Sequence, residues 1–536
     1  MRKEHRLLVT DAIDPEGLAL LRAVPSFEVD EVPTLPSDEL LRRIADYDAI
    51  IGRSATRITE PLLRAGKRLR VVGRAGVGVD NIALETATEL GIAVINAPAG
   101  NTVAVTELFF GTVISLLRHI PRATDSMHAG AWERAALNGT ELKGKTLGIV
   151  GLGRIGSAVA LRARAFGMDV IAYDPYITEE RFVVHQVRRV GSLDALLRES
   201  RFLSVHTPLT DETSGMIGTE ELALLPRGAV LVNLARGGIV DEDALAAACR
   251  SGHLSGAVLD AFTREPLTGD HPFRDLPMVL LTPHLGASTA EAQRNVAIDA
   301  CEAVRDALLD GELSRSINVT GGLDDWASWQ PALLLTRRLA AVASARLADH
   351  GHRAVESVTL RVGPDFQAAR GALLASAAVG ALEGAVGDHR LNLINARAVA
   401  ATRGVELSLA EGGDAPHSRA IEVRVRAEGE ELRVGGIAAA DAPPRITRVG
   451  PYPVDVAARG TLIVLTNHDV PGVIGRVGTA LGDAHVNIAE YHQARLAQGG
   501  EALAVISVDG QVTAEARTIL NALPDVLSAT IVRFGD

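Results

Sequence analysis

The stretch Thr146-Leu147-Gly148-Ile149-Val150-Gly151-Leu152-Gly153-Arg154-Ile155-Gly156, with Asp174 at the end of the next apolar run, decides the fold. An apolar strand pattern runs into three glycines, and a helical pattern opens at the last of them. The first glycine permits the tight turn, the second lets a pyrophosphate approach the backbone, and the third lets helix and strand pack closely. Unpaired N–H groups and the helix dipole favour the phosphates there. Asp174 stands at about the 20-residue spacing that such a unit requires. Its carboxylate suits both ribose hydroxyls and repels a 2′-phosphate, so the pattern predicts NAD rather than NADP.

Outward from this unit the alternation continues. Thr146–Gly151, Val170–Asp174, Phe202–Thr207, Val230–Ala235, Val258–Phe262 and Val279–Pro283 read as strands with helical patterns between most of them. That is a doubly wound nucleotide-binding domain of α/β class. Upstream, Leu7–Thr10, Ala49–Gly52, Val71–Gly73 and Ala93–Asn96 read as strands, and Ser37–Ala45 and Glu60–Ala65 as helices. This is a second parallel sheet. A helical pattern from Thr102 to His119 is apolar on all sides and is expected to be buried. A helix from Thr289 to Leu309 is expected to return to the first sheet, which makes that domain discontinuous.

The C-terminal part differs. Alanine, arginine and glycine dominate after Asn318, with turns expected at Gly412–Pro416 and Ala438–Pro444. Residues 461–533 then read strand, helix, two strands, helix, strand, the order of a ferredoxin-like α+β unit. The expected boundaries are 1–98 and 286–318 for the discontinuous substrate-binding domain, 99–285 for the NAD-binding domain, 319–456 for an α+β intervening domain and 457–536 for the last unit.

Composition narrows the function. The 536 residues carry 54 Lys and Arg against 66 Asp and Glu, a net charge of −12. An acidic chain lacks the basic face of a general nucleic-acid binder. Two distant cysteines, Cys249 and Cys301, support neither a disulfide framework nor a Cys-rich zinc site. No metal is expected. The longest weakly polar stretch, Gly371–Leu382, is shorter than the ~20 apolar residues of a membrane span. With no secretory h-region near the N-terminus, a cytoplasmic, non-membrane protein is expected.

Three charged residues stand just beyond late strands, where ligands bind in such sheets. They are Arg236, Glu265 and His284. Taken singly, each has a bland reading: a surface ion pair, a solvated loop residue, a capped loop histidine. Together, behind a dinucleotide fingerprint, they make a set for oxidising a 2-hydroxy acid. A histidine can take the hydroxyl proton near neutral pH. A carboxylate on its other nitrogen fixes the tautomer, and an arginine holds the substrate carboxylate.

These residues, with Arg53-Ser54-Ala55-Thr56, Gly73-Arg74-Ala75-Gly76-Val77-Gly78-Val79-Asp80-Asn81, Ala235–Asp241 and Pro283–Ser288, carry a resemblance. Residues 1–317 resemble the D-isomer-specific 2-hydroxyacid dehydrogenases, most closely the D-3-phosphoglycerate dehydrogenases of serine biosynthesis. The resemblance implies substrate arginine, glutamate partner and acid/base histidine at Arg236, Glu265 and His284. It places Val77, Gly151, Gly153, Arg154, Ile155, Gly156, Asp174, Thr207, Leu234, Ala235, Arg236, Asp260, His284 and Gly286 around NAD, with Asp260 at the nicotinamide carboxamide. It implies that Arg53, Ser54, Arg74, Gly76, Gly78 and Asn101 join Arg236 and His284 around 3-phosphoglycerate, with Arg134 as a further candidate.

Residues 320–455 resemble, thinly, the intervening domain of long-form phosphoglycerate dehydrogenases. Asn467-His468-Asp469-Val470-Pro471-Gly472, followed by Val486-Asn487-Ile488, resembles an ACT domain, a module that binds amino acids between subunits. The resemblance implies L-serine as effector, met by Asn467, Asp469 and Asn487, in a homodimer or homotetramer. A glyoxylate or hydroxypyruvate reductase is the nearest alternative, against which Arg53, Arg74 and the long extension weigh. A dinucleotide-sensing interaction protein is the other, against which the complete charged set weighs.

Overall fold

The computed structural model describes residues 4–319, 326–384, 390–410, 417–440 and 442–534. The turn expected at Gly412–Pro416 lies outside the described residues.

The first sheet holds β1 (His5–Val9), β2 (Phe27–Glu31), β3 (Ala49–Gly52), β4 (Val71–Arg74) and β5 (Ala93–Asn96), all parallel in the order β2-β1-β3-β4-β5. The inner strands are unbroken apolar runs because both faces are covered. Edge strand β2 (Phe27-Glu28-Val29-Asp30-Glu31) was not among the expected strands, because three carboxylates interrupt its apolar pattern. Helix Ala290–Leu309 closes one face, its start capped by the Thr289 hydroxyl. Gly17 lets it approach helix Pro15–Arg22: a Cβ there would lie 2.7 Å from the Ala297 carbonyl. The chain then crosses the edge of β5, pairing Ser316 with Ile95.

The second sheet holds β6 (Thr146–Val150), β7 (Asp169–Tyr173), β8 (Arg188–Arg189), β9 (Phe202–Val205), β10 (Ala229–Asn233), β11 (Leu254–Leu259) and β12 (Val279–Leu281). Its order is β12-β11-β10-β9-β6-β7-β8, all parallel, so the direction of winding reverses between β6 and β9. Six of these seven strands were expected. β8 is two arginines long and carries no apolar signal. The long apolar helix is shorter and less buried than expected. It spans Thr102–Leu117, and His119, with φ 53°, turns the chain into a second helix, Ile120–His128. Phe109, Phe110 and Val113 are buried, but Val103 is 56% exposed.

The third sheet is mixed: β13 (Val355–Val362), β14 (Glu406–Leu409), β15 (Ala420–Ala427), β16 (Glu430–Ile437), β17 (Arg445–Val449) and β18 (Tyr452–Ala457), ordered β14-β13-β15-β16-β17-β18. Helix Trp326–Asp349 packs on it, with helix Arg370–Leu382 buried alongside. That second helix contains the whole Gly371–Leu382 stretch, so its weak polarity marks a core helix. Among the described residues no single helix is long and apolar enough to cross a membrane.

The fourth sheet is antiparallel: β19 (Thr461–His468), β20 (Asn487–Arg495), β21 (Glu501–Asp509) and β22 (Val526–Arg533), ordered β20-β21-β19-β22 as in ferredoxin-like units. One face, with Ile463, Leu465 and Ile506, lies under helices Val473–Asp483 and Ala514–Ala522. The other, with Leu462, Val464 and Val505, joins the core around helix Trp326–Asp349. Gly472 starts helix Val473–Asp483 with φ 90°, a conformation that favours glycine.

Candidate active site

β10, β11 and β12 are neighbours, and the loops after their carboxyl ends bring Arg236, Glu265 and His284 to one side of the sheet. His284 Nδ1 lies 2.8 Å and 2.9 Å from the two Glu265 carboxylate oxygens. Glu265 Oε1 also accepts from the Phe262 N–H at 3.0 Å, which holds the carboxylate in the loop that carries it. With Nδ1 tied to Glu265, Nε2 is the nitrogen left for proton transfer.

The histidine loop is fastened from below. Asp260, 1% exposed, accepts from the Leu285 N–H at 2.7 Å, the Gly286 N–H at 2.8 Å and the Thr282 hydroxyl. The resemblance implies this carboxylate at the nicotinamide carboxamide, and its bonds within the chain also make it an anchor of the His284 loop. Asn233 does the same for Arg236: its amide donates to the Arg236 carbonyl, and its oxygen accepts from the Ala235 N–H.

Arg236 reaches across to the first sheet. Its Nε donates to Asp80 Oδ2 at 2.9 Å and its Nη1 to the Ala235 carbonyl at 2.7 Å. Its Nη2 lies against Gly78, where a Cβ would come within 2.1 Å. Val77, between Gly76 and Gly78, is held by the Asn96 amide through its carbonyl. Arg74 ends β4 and Arg53 follows β3. Burial, then the nearby Arg53 and Arg236 guanidiniums, push Arg74 down to about 10, so it remains charged at neutral pH. Three cations thus crowd one cleft, accompanied by Asp11 and Asp80.

Asp11, absent from the sequence reading, shapes this cleft. It accepts from the N–H groups of Arg53 and Thr56 and the hydroxyls of Thr34 and Thr56. Burial alone would raise its carboxyl, but these hydrogen bonds together hold it below its ordinary value. The loop bearing Arg53 and Ser54 is therefore fixed from beneath. Asn101 precedes helix Thr102–Leu117 without capping it, and its Oδ1 is buried with no partner. Arg134 is exposed on the single turn Arg134–Ala136.

The glycine loop fits a dinucleotide. Gly151 has φ 89° and lies against the His206 carbonyl, 2.8 Å from its would-be Cβ. At Gly156 a Cβ would lie 2.2 Å from the Gly151 carbonyl oxygen, which is the close helix–strand approach. At Gly153 it would meet nothing within 4 Å, so this side of the loop is open. Helix Arg154–Ala165 has no side-chain cap, which leaves the N–H groups of Arg154, Ile155 and Gly156 for an anion. Thr207 Oγ1 beyond β9 is buried with no partner. Leu234 and Ala235 lie beyond β10, next to β9.

Asp174 departs from its expected simplicity. Its two oxygens accept from the Leu152 N–H at 2.9 Å and the Tyr176 N–H at 3.0 Å, so it also braces the glycine loop. Each oxygen keeps lone pairs for a ribose hydroxyl.

The C-terminal candidates do not converge within one chain. Asn467 is buried and donates to the His468 carbonyl. Asp469 already accepts from Arg495 at 2.8 Å and from the Gly499 N–H at 3.2 Å. Asn487 pairs with Asp509 at the Thr461 end of the sheet, whereas His468 pairs with Glu501 at the other end. Seven residues at ~3.3 Å put the two ends roughly 20 Å apart.

Comparison with known proteins agrees with this architecture. The NAD binding domain of the D-isomer specific 2-hydroxyacid dehydrogenases matches residues 110–286, and the ACT domain matches residues 461–525. The D-3-phosphoglycerate dehydrogenase of Synechocystis sp. is 38% identical over 512 residues, 94% of this chain and 90% of that one. That of Bacillus subtilis is 36% identical over 533 residues, covering 98% and 99%. A solved NAD+-bound 3-phosphoglycerate dehydrogenase from Entamoeba histolytica has 29% identity and a TM-score of 0.50, covering 59% of this chain and 99% of its own.

Proposed function

Because the chain belongs to the family of D-3-phosphoglycerate dehydrogenases, NAD-dependent oxidoreductases within the D-isomer specific 2-hydroxyacid dehydrogenases, we propose that it oxidises 3-phospho-D-glycerate at C2. The product is 3-phosphooxypyruvate, and the reaction is the first step of L-serine biosynthesis. The observation that carries this reading is the placement of the His284–Glu265 pair and Arg236 opposite Arg53 and Arg74.

The geometry supports the following roles. Arg236 binds the C1 carboxylate. His284 Nε2 takes the proton of the C2 hydroxyl, and Glu265 on Nδ1 stabilises the imidazolium that forms. Bound NAD supplies the hydride acceptor. Arg53 and Arg74 receive the 3-phosphate, and the mutual repulsion of these half-buried cations falls when the anion arrives. Replacing Arg53 or Arg74 by alanine should raise KM for 3-phosphoglycerate at least tenfold more than for an unphosphorylated 2-hydroxy acid, as loss of a charge-assisted contact implies, about 1.5–3 kcal/mol. Equal losses on both substrates would refute the phosphate assignment.

The ACT domain supports regulation by an amino acid, and L-serine is the end product that fits this reaction. A site using both Asp469 and Asn487 needs two chains, in a homodimer or homotetramer. The exposed Val103, Ile120, Met127 and Trp132 provide apolar surface for association.

A further inference from the structure

Asp80 and Asn81 are consecutive residues in the turn after Gly78, and between them they grip both sides of the cleft. Asp80 Oδ2 accepts from Arg236 Nε at 2.9 Å, linking the first sheet to the second. The Asn81 amide donates to the carbonyls of Arg53 at 3.1 Å and Thr56 at 2.6 Å. The Asp80 side chain is 57% exposed. An exposed ion pair contributes little to stability, so this one is poorly explained as a fold determinant. Its effect is orientation: with Nε on Asp80 and Nη1 on the Ala235 carbonyl, the guanidinium plane is fixed with Nη2 left over. Asn81 meanwhile fixes the backbone from which the Arg53 side chain departs.

We propose that Asp80-Asn81 is a positioning dipeptide that sets the separation of the two anion-binding arginines, and so selects a 2-hydroxy acid whose second anion lies at a set distance from its carboxylate. This rests on the reading that Arg236 takes the carboxylate and Arg53 the phosphate. Asp80 acts on every 2-hydroxy acid, because all carry the carboxylate. Asn81 acts on the phosphorylated one alone. A misplacement of about 1 Å at either arginine is enough to matter.

The test is initial-rate NADH formation by the full chain, as wild type and as Asp80→Ala, Asp80→Glu and Asn81→Ala, on 3-phosphoglycerate and on an unphosphorylated 2-hydroxy acid. Asp80→Ala should raise KM about tenfold on both acids while kcat changes far less, and Asp80→Glu should recover part of the loss. Asn81→Ala should raise KM about tenfold on 3-phosphoglycerate and leave the other acid near wild type. NAD affinity should stay at wild-type values in all three, and Tm should hold in the two Asp80 variants, whose ion pair is exposed. An unchanged or lowered KM in Asp80→Ala would overturn the proposal, since Asp80 would then be idle or a competitor for Arg236. Equal losses on both acids in Asn81→Ala would overturn it too. A wild type that turns over only unphosphorylated acids would defeat the substrate reading instead, and the Asp80 series would still report on Arg236.

Discussion

At the scale of single residues, His284 and Glu265 separate binding from chemistry. His284→Ala should lower kcat by ~10²–10⁴ while NAD still binds, because general acid–base catalysis contributes about that much. Near-wild-type turnover would exclude His284 as the proton acceptor. Glu265→Gln should move the pH–rate profile, because the imidazolium loses its charged partner. Asp11 gives a pH prediction of a different kind. Its carboxyl titrates lower in the folded chain than its unfolded value of about 3.9. Its stabilisation is therefore complete above that value and is lost as pH falls through the lower folded one. Asp11→Asn should cost about 1–3 kcal/mol in denaturation at neutral pH, as for a buried hydrogen-bonded group that loses its charge. The difference from wild type should shrink below about pH 4. A cost that persists undiminished in acid would mean that the charge of Asp11 is irrelevant.

At the scale of elements, the glycine loop after β6 offers a contrast between folding and binding. Gly156→Ala puts a methyl 2.2 Å from a carbonyl oxygen and should lower Tm. Gly153→Ala meets no neighbour, so Tm should hold while NAD affinity falls about tenfold, 1.4 kcal/mol, by crowding the pyrophosphate. The reverse pattern would move the cofactor elsewhere. This unit was legible in sequence because a strand, three glycines and an acidic residue lie within one short segment. Arg236, Glu265 and His284 were legible for a related reason: each follows a recognisable apolar strand. What stayed hidden was pairing at long range. Arg236 and Asp80 are 156 residues apart, and Asp11 meets Arg53 and Thr56 over more than 40. No local pattern announces such partners. The same limit applies to β2 and β8, whose charged residues conceal short edge strands, and to Asp260 and Asp174, whose backbone bonds become visible only once loops are placed.

At the scale of the whole molecule, the ACT domain is packed into the rest of the chain. Its sheet shares a core with helix Trp326–Asp349, and Arg390 and Asn392 of the intervening region donate to the Gly66 and Gly91 carbonyls beside the first sheet. A ligand that shifts this assembly must bind its two arrangements unequally. Since Asp469 and Asn487 lie at opposite ends of one sheet, L-serine should bind only the associated enzyme. Calorimetry should show serine binding that disappears in Asp469→Ala with basal activity nearly intact, and that weakens on dilution below the association threshold. Serine binding to an isolated monomer would refute the two-chain site.

The central claim is that this cleft oxidises a phosphorylated D-2-hydroxy acid with NAD. The most direct measurement is the rate of NADH formation by the purified full chain on 3-phospho-D-glycerate against D-glycerate, which differ only in the phosphate. The account predicts a kcat/KM at least ~10²-fold higher for the phosphorylated acid, the factor expected from two charge-assisted contacts of about 1.5–3 kcal/mol each. Equal turnover of the two acids, or turnover of D-glycerate alone, would contradict it.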